Sequence, residues 1–192
     1  HADIYGNYTV ESLFGEAISM APSVRERIEI VSKCGIKLLS QNRPEHSLKY
    51  YDTSAAHITA SVDTSLRNLG TDYLDLLLIH RPDPLMDFDA VAQTFLQLWR
   101  DGKVRHFGVS NHTPAQIQLL TRSVRQPLVV NQLQLSVTHA PMIATGIAMN
   151  IETKNQALDR DNGILDYSRL HDMTIQAWSP FQHGFFDGVF VG

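Results

Sequence analysis

Cysteine is almost absent from this 192-residue chain. Cys34 is the only one, so no internal disulfide can form and a reducing compartment is the consistent setting. It adjoins Lys33, which would lower a thiol pKa, yet a buried, inert thiol is the expected state. The nine histidines fall into no HExxH pattern and no paired Cys/His spacing, so no metal site is expected. Neither GxGxxG nor a GxxxxGK loop occurs, which removes the standard phosphate cradles. No apolar run approaches membrane-spanning length, and no basic segment followed by an apolar one opens the chain. Neither membrane association nor a signal peptide is expected, and a cytoplasmic location is. Basic residues are not in excess either. Sixteen Lys and Arg against twenty Asp and Glu leave a formal charge of -4, which argues against a nucleic-acid surface.

What is present is a repeated alternation. Residues 73 to 79 run apolar with almost no polar interruption and stop on His80, followed by Pro82 and Pro84. Such a run suits a parallel strand covered on both faces, and the prolines close it because proline donates no ladder hydrogen bond. Comparable segments are Ala2 to Tyr5, 28 to 33 ending on Lys33, 104 to 111 ending on Ser110 and Asn111, 127 to 135 carrying Asn131 and Gln132, and 173 to 178 ending on Trp178. Between them lie helical patterns. Val10, Leu13, Phe14, Ala17 and Ile18 form one face, Ile58, Val62 and Leu66 a second, Val91, Phe95, Leu98 and Trp99 a third. Thr113-Pro114-Ala115-Gln116 is a capping box with proline at the first helical position, leading to Ile117, Leu119 and Leu120. Another helix is expected over 165 to 170, and the stretch from Val137 to Asn162 reads as polar and irregular.

Six strands alternating with helices predict a parallel sheet with helices outside it. In a (β/α)8 barrel the six strand ends would gather around one mouth. A doubly wound open sheet has the same alternation but usually brings a glycine-rich first turn, and none is seen. Brought together, Tyr5, Lys33 and His80 make a proton-donating phenol whose pKa an ammonium group lowers, with a neutral imidazole to orient a substrate oxygen. Ser110, Asn111 and Gln132 suit an uncharged carboxamide, and Trp178 offers a flat face to a ring. That combination is a hydride-transfer site. Taken singly, each residue has a plainer reading: a core tyrosine, a solvated lysine, a core or rim histidine, amides that tie loops together.

ADIYG, IVSK, LLLIHRPDP, GKVRHFGVSN, VVNQLQLS and AWSP, in this order, make the sequence resemble the aldo-keto reductases from Ala2 to about Gly184. The resemblance implies a (β/α)8 barrel binding a nicotinamide cofactor, usually NADP(H), and reducing a small-molecule carbonyl. By matching motifs it implies Tyr5 as general acid, Lys33 as the lysine that depresses its pKa, and His80 as the histidine that positions the carbonyl. Ser110, Asn111 and Gln132 become carboxamide ligands, Trp178 the aromatic against the nicotinamide, and Ser179 and Phe181 the start of the loop that passes the pyrophosphate. Two departures stand out. The family's catalytic aspartate, five positions before the tyrosine, would fall one place before His1; Asp3 does not match it and reads as a solvated or rim carboxylate. About six of eight strands are visible, so a single barrel domain over 1–192, truncated at both ends, is expected. The spacing from Tyr5 to Glu11-Ser12-Leu13-Phe14-Gly15 is also three residues longer than usual. A monomer or weak homo-oligomer is expected. The alternatives are a cofactor-binding regulatory subunit of a partner protein and a catalytically dead remnant.

Overall fold

The computed structural model describes residues 1–181. Five parallel strands form one sheet: β1 Val31–Cys34, β4 Leu74–Ile79, β5 Val104–Ser110, β6 Leu128–Gln134 and β7 Thr174–Trp178, neighbours in that order. Two short strands, β2 Ile36–Lys37 and β3 Tyr50–Tyr51, form an antiparallel pair beyond the end of β1. Each strand of the main sheet returns parallel after a helix, the right condition for a sheet covered by helices. All six residues of β4 are buried, as its unbroken apolar run requires.

Three helices begin where local capping chemistry says they should. Ser54 accepts the His57 N–H to start Ala55–Leu69, and Gly70 ends it in the left-handed conformation. Asp87 caps Phe88–Arg100 through the Asp89 and Ala90 N–H groups. The capping box at Thr113 and Gln116 is formed in both directions and opens Pro114–Thr121. Ile58, Val62, Val91, Phe95, Phe107, Ile117 and Leu120 build the core between helices and sheet, with Phe95 and Phe107 stacked at 4.1 Å. A smaller apolar group, Leu76, Leu78 and Val130, covers the opposite face of the sheet. No helix among the described residues is long and apolar enough to cross a membrane.

Several expectations are corrected. The Ala2 to Tyr5 segment is not a regular strand. His1 donates its amino group to the Val31 carbonyl and Asp3 its N–H to that of Lys33, so the segment lies along β1 with two ladder bonds, then turns at once. The main sheet therefore has five strands among the described residues rather than six. Leu13 is 61% exposed, whereas Glu11 is 2% exposed. The row that turns inward in Val10–Ser19 is Glu11, Gly15 and Ile18. A Cβ on Gly15 would stand 2.1 Å from the Asn68 carbonyl oxygen, so the glycine lets two helix backbones meet and sets the rotation that carries Leu13 outward. Trp99 and Leu119 are likewise exposed. The stretch 137–162 holds a short helix, Pro141–Ile147, and a 3-10 turn, Asn155–Ala157.

Candidate active site

Register decides which side chains share the site. Successive residues of a strand point to opposite faces, so Leu76, Leu78 and His80 face the same way. Lys33 pairs with Leu78, and Leu78 with Gly108. Two residues beyond Gly108 is Ser110, which pairs with Gln132, and Gln132 pairs with Gln176. Lys33, His80, Ser110, Gln132 and Gln176 therefore form a row across the face opposite the helices, at the carboxyl ends of the strands. Trp178 lies one step further along, beside Gln134.

Tyr5 enters from the turn that follows the His1 to Asp3 segment. The Lys33 Nζ donates to its hydroxyl at 3.2 Å and to the His1 carbonyl at 2.6 Å, and lies 4.7 Å from the centre of the Tyr5 ring. The His80 ring meets that of Tyr5 edge-on, with centroids 5.7 Å apart. The three residues expected to converge do so. His80 is held at the top of β4 by its own N–H donating to the Cys34 carbonyl, while its Nδ1 is buried without a hydrogen-bond partner.

Burial dominates the electrostatics. It pushes His80 down to about 3, helped by the Lys33 and Arg81 cations, so the ring is neutral at physiological pH. It also lowers Lys33 to about 8, against the pull of Asp3 and Glu11. The expectation that Lys33 holds the Tyr5 phenol below its ordinary range is not met. Burial raises the phenol, and the cation that opposes this is Arg81. The physical reason is that desolvation of the phenolate outweighs the attraction of the Arg81 guanidinium. Asp3 is corrected as well. It is 8% exposed rather than solvated, its Oδ1 has no hydrogen-bond partner, and burial raises it to about 7. The Cys34 thiol is buried and pushed up by that burial, an inert group as expected.

The residues read as carboxamide ligands form a chain of contacts. The Trp178 Nε1 donates to Asn111 Oδ1 at 3.0 Å, Asn111 Nδ2 to Ser110 Oγ at 2.8 Å, and Ser110 Oγ to the Gln132 carbonyl at 3.0 Å. Gln132 Nε2 donates to Gln176 Oε1 at 2.6 Å. Asn111 sits in the left-handed conformation, φ 59, which turns its amide toward Trp178. Asn131 takes the plainer role, tying the loop at His112 through the His112 carbonyl. Amide and hydroxyl groups ordered beside an indole fit a planar ring bearing a carboxamide: each side-chain oxygen in the chain keeps a lone pair, and no charged group belongs to it. A cavity of about 300 Å³ adjoins this chain, with Arg81, Asn111, His139 and Trp178 in its wall. Ser179 follows Trp178 in the left-handed conformation, and Phe181 is largely exposed.

Sequence reasoning missed Arg81, Gln176 and the buried carboxylates. Arg81 had a signal, its position directly after His80. Gln176 had one too, two residues before Trp178 in the same strand.

A family model described as the aldo/keto reductase family matches residues 1–191. The chain is 55% identical over 146 residues to the oxidoreductase YdhF of Escherichia coli, covering 76% of this chain and 48% of that one. It is 40% identical to a 6-dehydroglucose reductase of Agrobacterium fabrum, covering 100% of this chain and 59% of the relative. Among solved structures, the glycerol dehydrogenase AKR11B4 from Gluconobacter oxydans superposes with a TM-score of 0.71 at 26% identity, over 92% of this chain and 46% of that one. The chain thus spans about half the length of the relatives it matches.

Proposed function

Because the chain belongs to the aldo/keto reductase family, we propose that it reduces the carbonyl of an aldehyde or ketone to an alcohol, with NADP(H) as reductant, as part of a single barrel domain. The observation that carries this reading is the 3.2 Å hydrogen bond from Lys33 Nζ to Tyr5 Oη beside a neutral His80 ring. When bound, the nicotinamide supplies a hydride to the carbonyl carbon. Tyr5 gives its phenolic proton to the carbonyl oxygen. Lys33, donating to the phenol oxygen, stabilises the phenolate as the proton leaves. His80 donates a ring N–H to the same carbonyl oxygen and orients it.

Ser110, Asn111 and Gln132 would hold the carboxamide, Trp178 would stack on the ring, and Ser179 and Phe181 would begin the segment passing the pyrophosphate. NADP(H) in preference to NAD(H) rests on the family resemblance, and a cytoplasmic setting on the lone, buried Cys34. The relative named as a 6-dehydroglucose reductase makes a sugar aldehyde a reasonable first substrate.

The test is NADPH oxidation by the purified chain with aromatic aldehydes, dicarbonyls and sugar aldehydes, with the alcohol product quantified. Stoichiometric alcohol supports the reading. Tight NADPH binding without turnover, together with recovery of a stoichiometric protein partner, would replace it with the regulatory reading.

A further inference from the structure

Tyr5 is 40% exposed. Its ring touches the edge of His80 and the end of Lys33, so packing alone does not hold its hydroxyl in place. The backbone that carries it is unusual. Gly6, Asn7 and Tyr8, directly after Tyr5, have φ of 56, 55 and 70, three left-handed residues in succession. Glycine adopts this conformation freely and asparagine tolerates it, but for a bulky tyrosine it is an outlier. At Gly6 a side chain would also meet Val10 at 2.6 Å. This is the stretch in which the spacing to Glu11 is lengthened. A strained turn persists only where its surroundings over-determine it.

The surroundings here are the loop that follows β2. The Leu38 N–H donates to Tyr8 Oη at 2.8 Å. The Arg43 guanidinium lies over the Tyr8 ring at 4.6 Å, and His46 meets that ring edge-on. The Asn7 carbonyl accepts from Asn42 Nδ2 at 2.8 Å. Tyr8 itself is buried. The loop that makes these contacts continues from the strand carrying Lys33, through the turn at Gly35 and β2. The clasp therefore joins the backbone segment of the phenol to that of its ammonium partner.

We propose that Tyr8 is a positioning residue for Tyr5: anchored by the Leu38 N–H, it locks the left-handed turn and so fixes the Tyr5 hydroxyl at Lys33 and His80. The proposal rests on the reading of Tyr5 as proton donor, and its test has an arm that needs no turnover. Tyr8→Phe keeps the ring and its contact with Arg43 but removes the hydroxyl that accepts from the Leu38 N–H and meets His46 Nδ1 at 3.4 Å. Asn42→Ala opens the other half of the clasp from an exposed position and serves if Tyr8→Phe does not fold.

In Tyr8→Phe, kcat for carbonyl reduction is expected to fall at least fivefold, with NADPH affinity within twofold of wild type. In protein carrying 13C at the tyrosine Cζ, with the Tyr5 resonance assigned through Tyr5→Phe, the titration midpoint of Tyr5 is expected to fall by at least half a pH unit as the phenol swings toward solvent. Asn42→Ala should move both quantities in the same direction by less. An unshifted Tyr5 titration with wild-type kcat would overturn the proposal. So would a parallel loss of thermal midpoint, NADPH affinity and kcat with the Tyr5 midpoint unmoved, since that is the mark of a purely structural role. If wild type turns over no carbonyl, the proposed function fails while the titration still decides the role of Tyr8.

Discussion

Strand β4 has opposite characters at its two ends. At the amino end, Asp75 accepts from the Ile30 N–H at 2.8 Å and pairs with Arg25 at 3.0 Å and Arg105 at 3.1 Å. Both guanidinium groups lie over the Tyr73 ring, at 3.9 and 3.7 Å. Arg25 spends its remaining donors on Thr71, Ile28 and Tyr73. At the carboxyl end, five residues on, His80 has a buried ring nitrogen with no partner, and beyond neighbouring Lys33 lies Asp3 with an oxygen in the same state. One end is saturated and the other is left open. Unpaired buried polar groups cost stability, and along this strand the one such atom among the described residues belongs to His80, at the end where Lys33 and Tyr5 meet.

Substitutions at the two ends should separate stability from activity. The largest effect on folding is expected from Asp75→Ala, which strands Arg25 against the sheet. Breaking such a buried pair costs about 3 kcal/mol or more, to be read from urea unfolding, with kcat of the folded fraction largely kept. His80→Phe should do the reverse. Removing a buried, unpartnered nitrogen leaves the thermal midpoint equal or higher, while carbonyl reduction falls roughly 100-fold. A variant that lost both together would erase the contrast between the ends.

Asp3 allows a pH test with a defined sign. Its ordinary carboxylate pKa of 3.8 is raised to about 7 in the folded chain, so between those values the unfolded chain has released the proton and the folded chain has not. Stability from this group is therefore full below about pH 4 and lost as pH rises through 7. Asp3→Asn removes the loss, and its advantage over wild type should grow from pH 4 to 8 to on the order of 4 kcal/mol. A constant difference across that range would place a charged Asp3 in the fold. His80 has the opposite sign: lowered from 6.5 to about 3, it contributes stability above pH 6.5 that is lost as pH falls toward 3. The smallest effect is expected at Leu13→Gln, within about 0.5 kcal/mol, because that side chain faces outward.

The parts of this arrangement that could be read from sequence are those set by local rules. Apolar runs bounded by Pro, Gly and Asp located four strands of the sheet closely, and Thr113 with Gln116 announced a helix start. The row from Lys33 to Gln132 followed, because parallel strands align their carboxyl ends. What stayed hidden depends on distant partners. The periodicity of Val10–Ser19 fits two faces differing by a small rotation, and only the contact of Gly15 with the Asn68 carbonyl chooses between them. The pairing of Ile36–Lys37 with Tyr50–Tyr51 closes across a polar loop with no strand pattern. Asp3 looks solvated in sequence because nothing local reveals that Ser61 and Glu11 enclose it. The clasp on Tyr8 joins residues thirty apart.

The central claim is that the Tyr5 phenol delivers the proton to a carbonyl reduced beside it. Single-turnover reduction by the NADPH-loaded chain, compared between wild type and Tyr5→Phe with cofactor affinity measured in parallel, tests it most directly. The account predicts loss of reduction by at least 100-fold with NADPH affinity nearly unchanged. Reduction by the variant at the wild-type rate would contradict it.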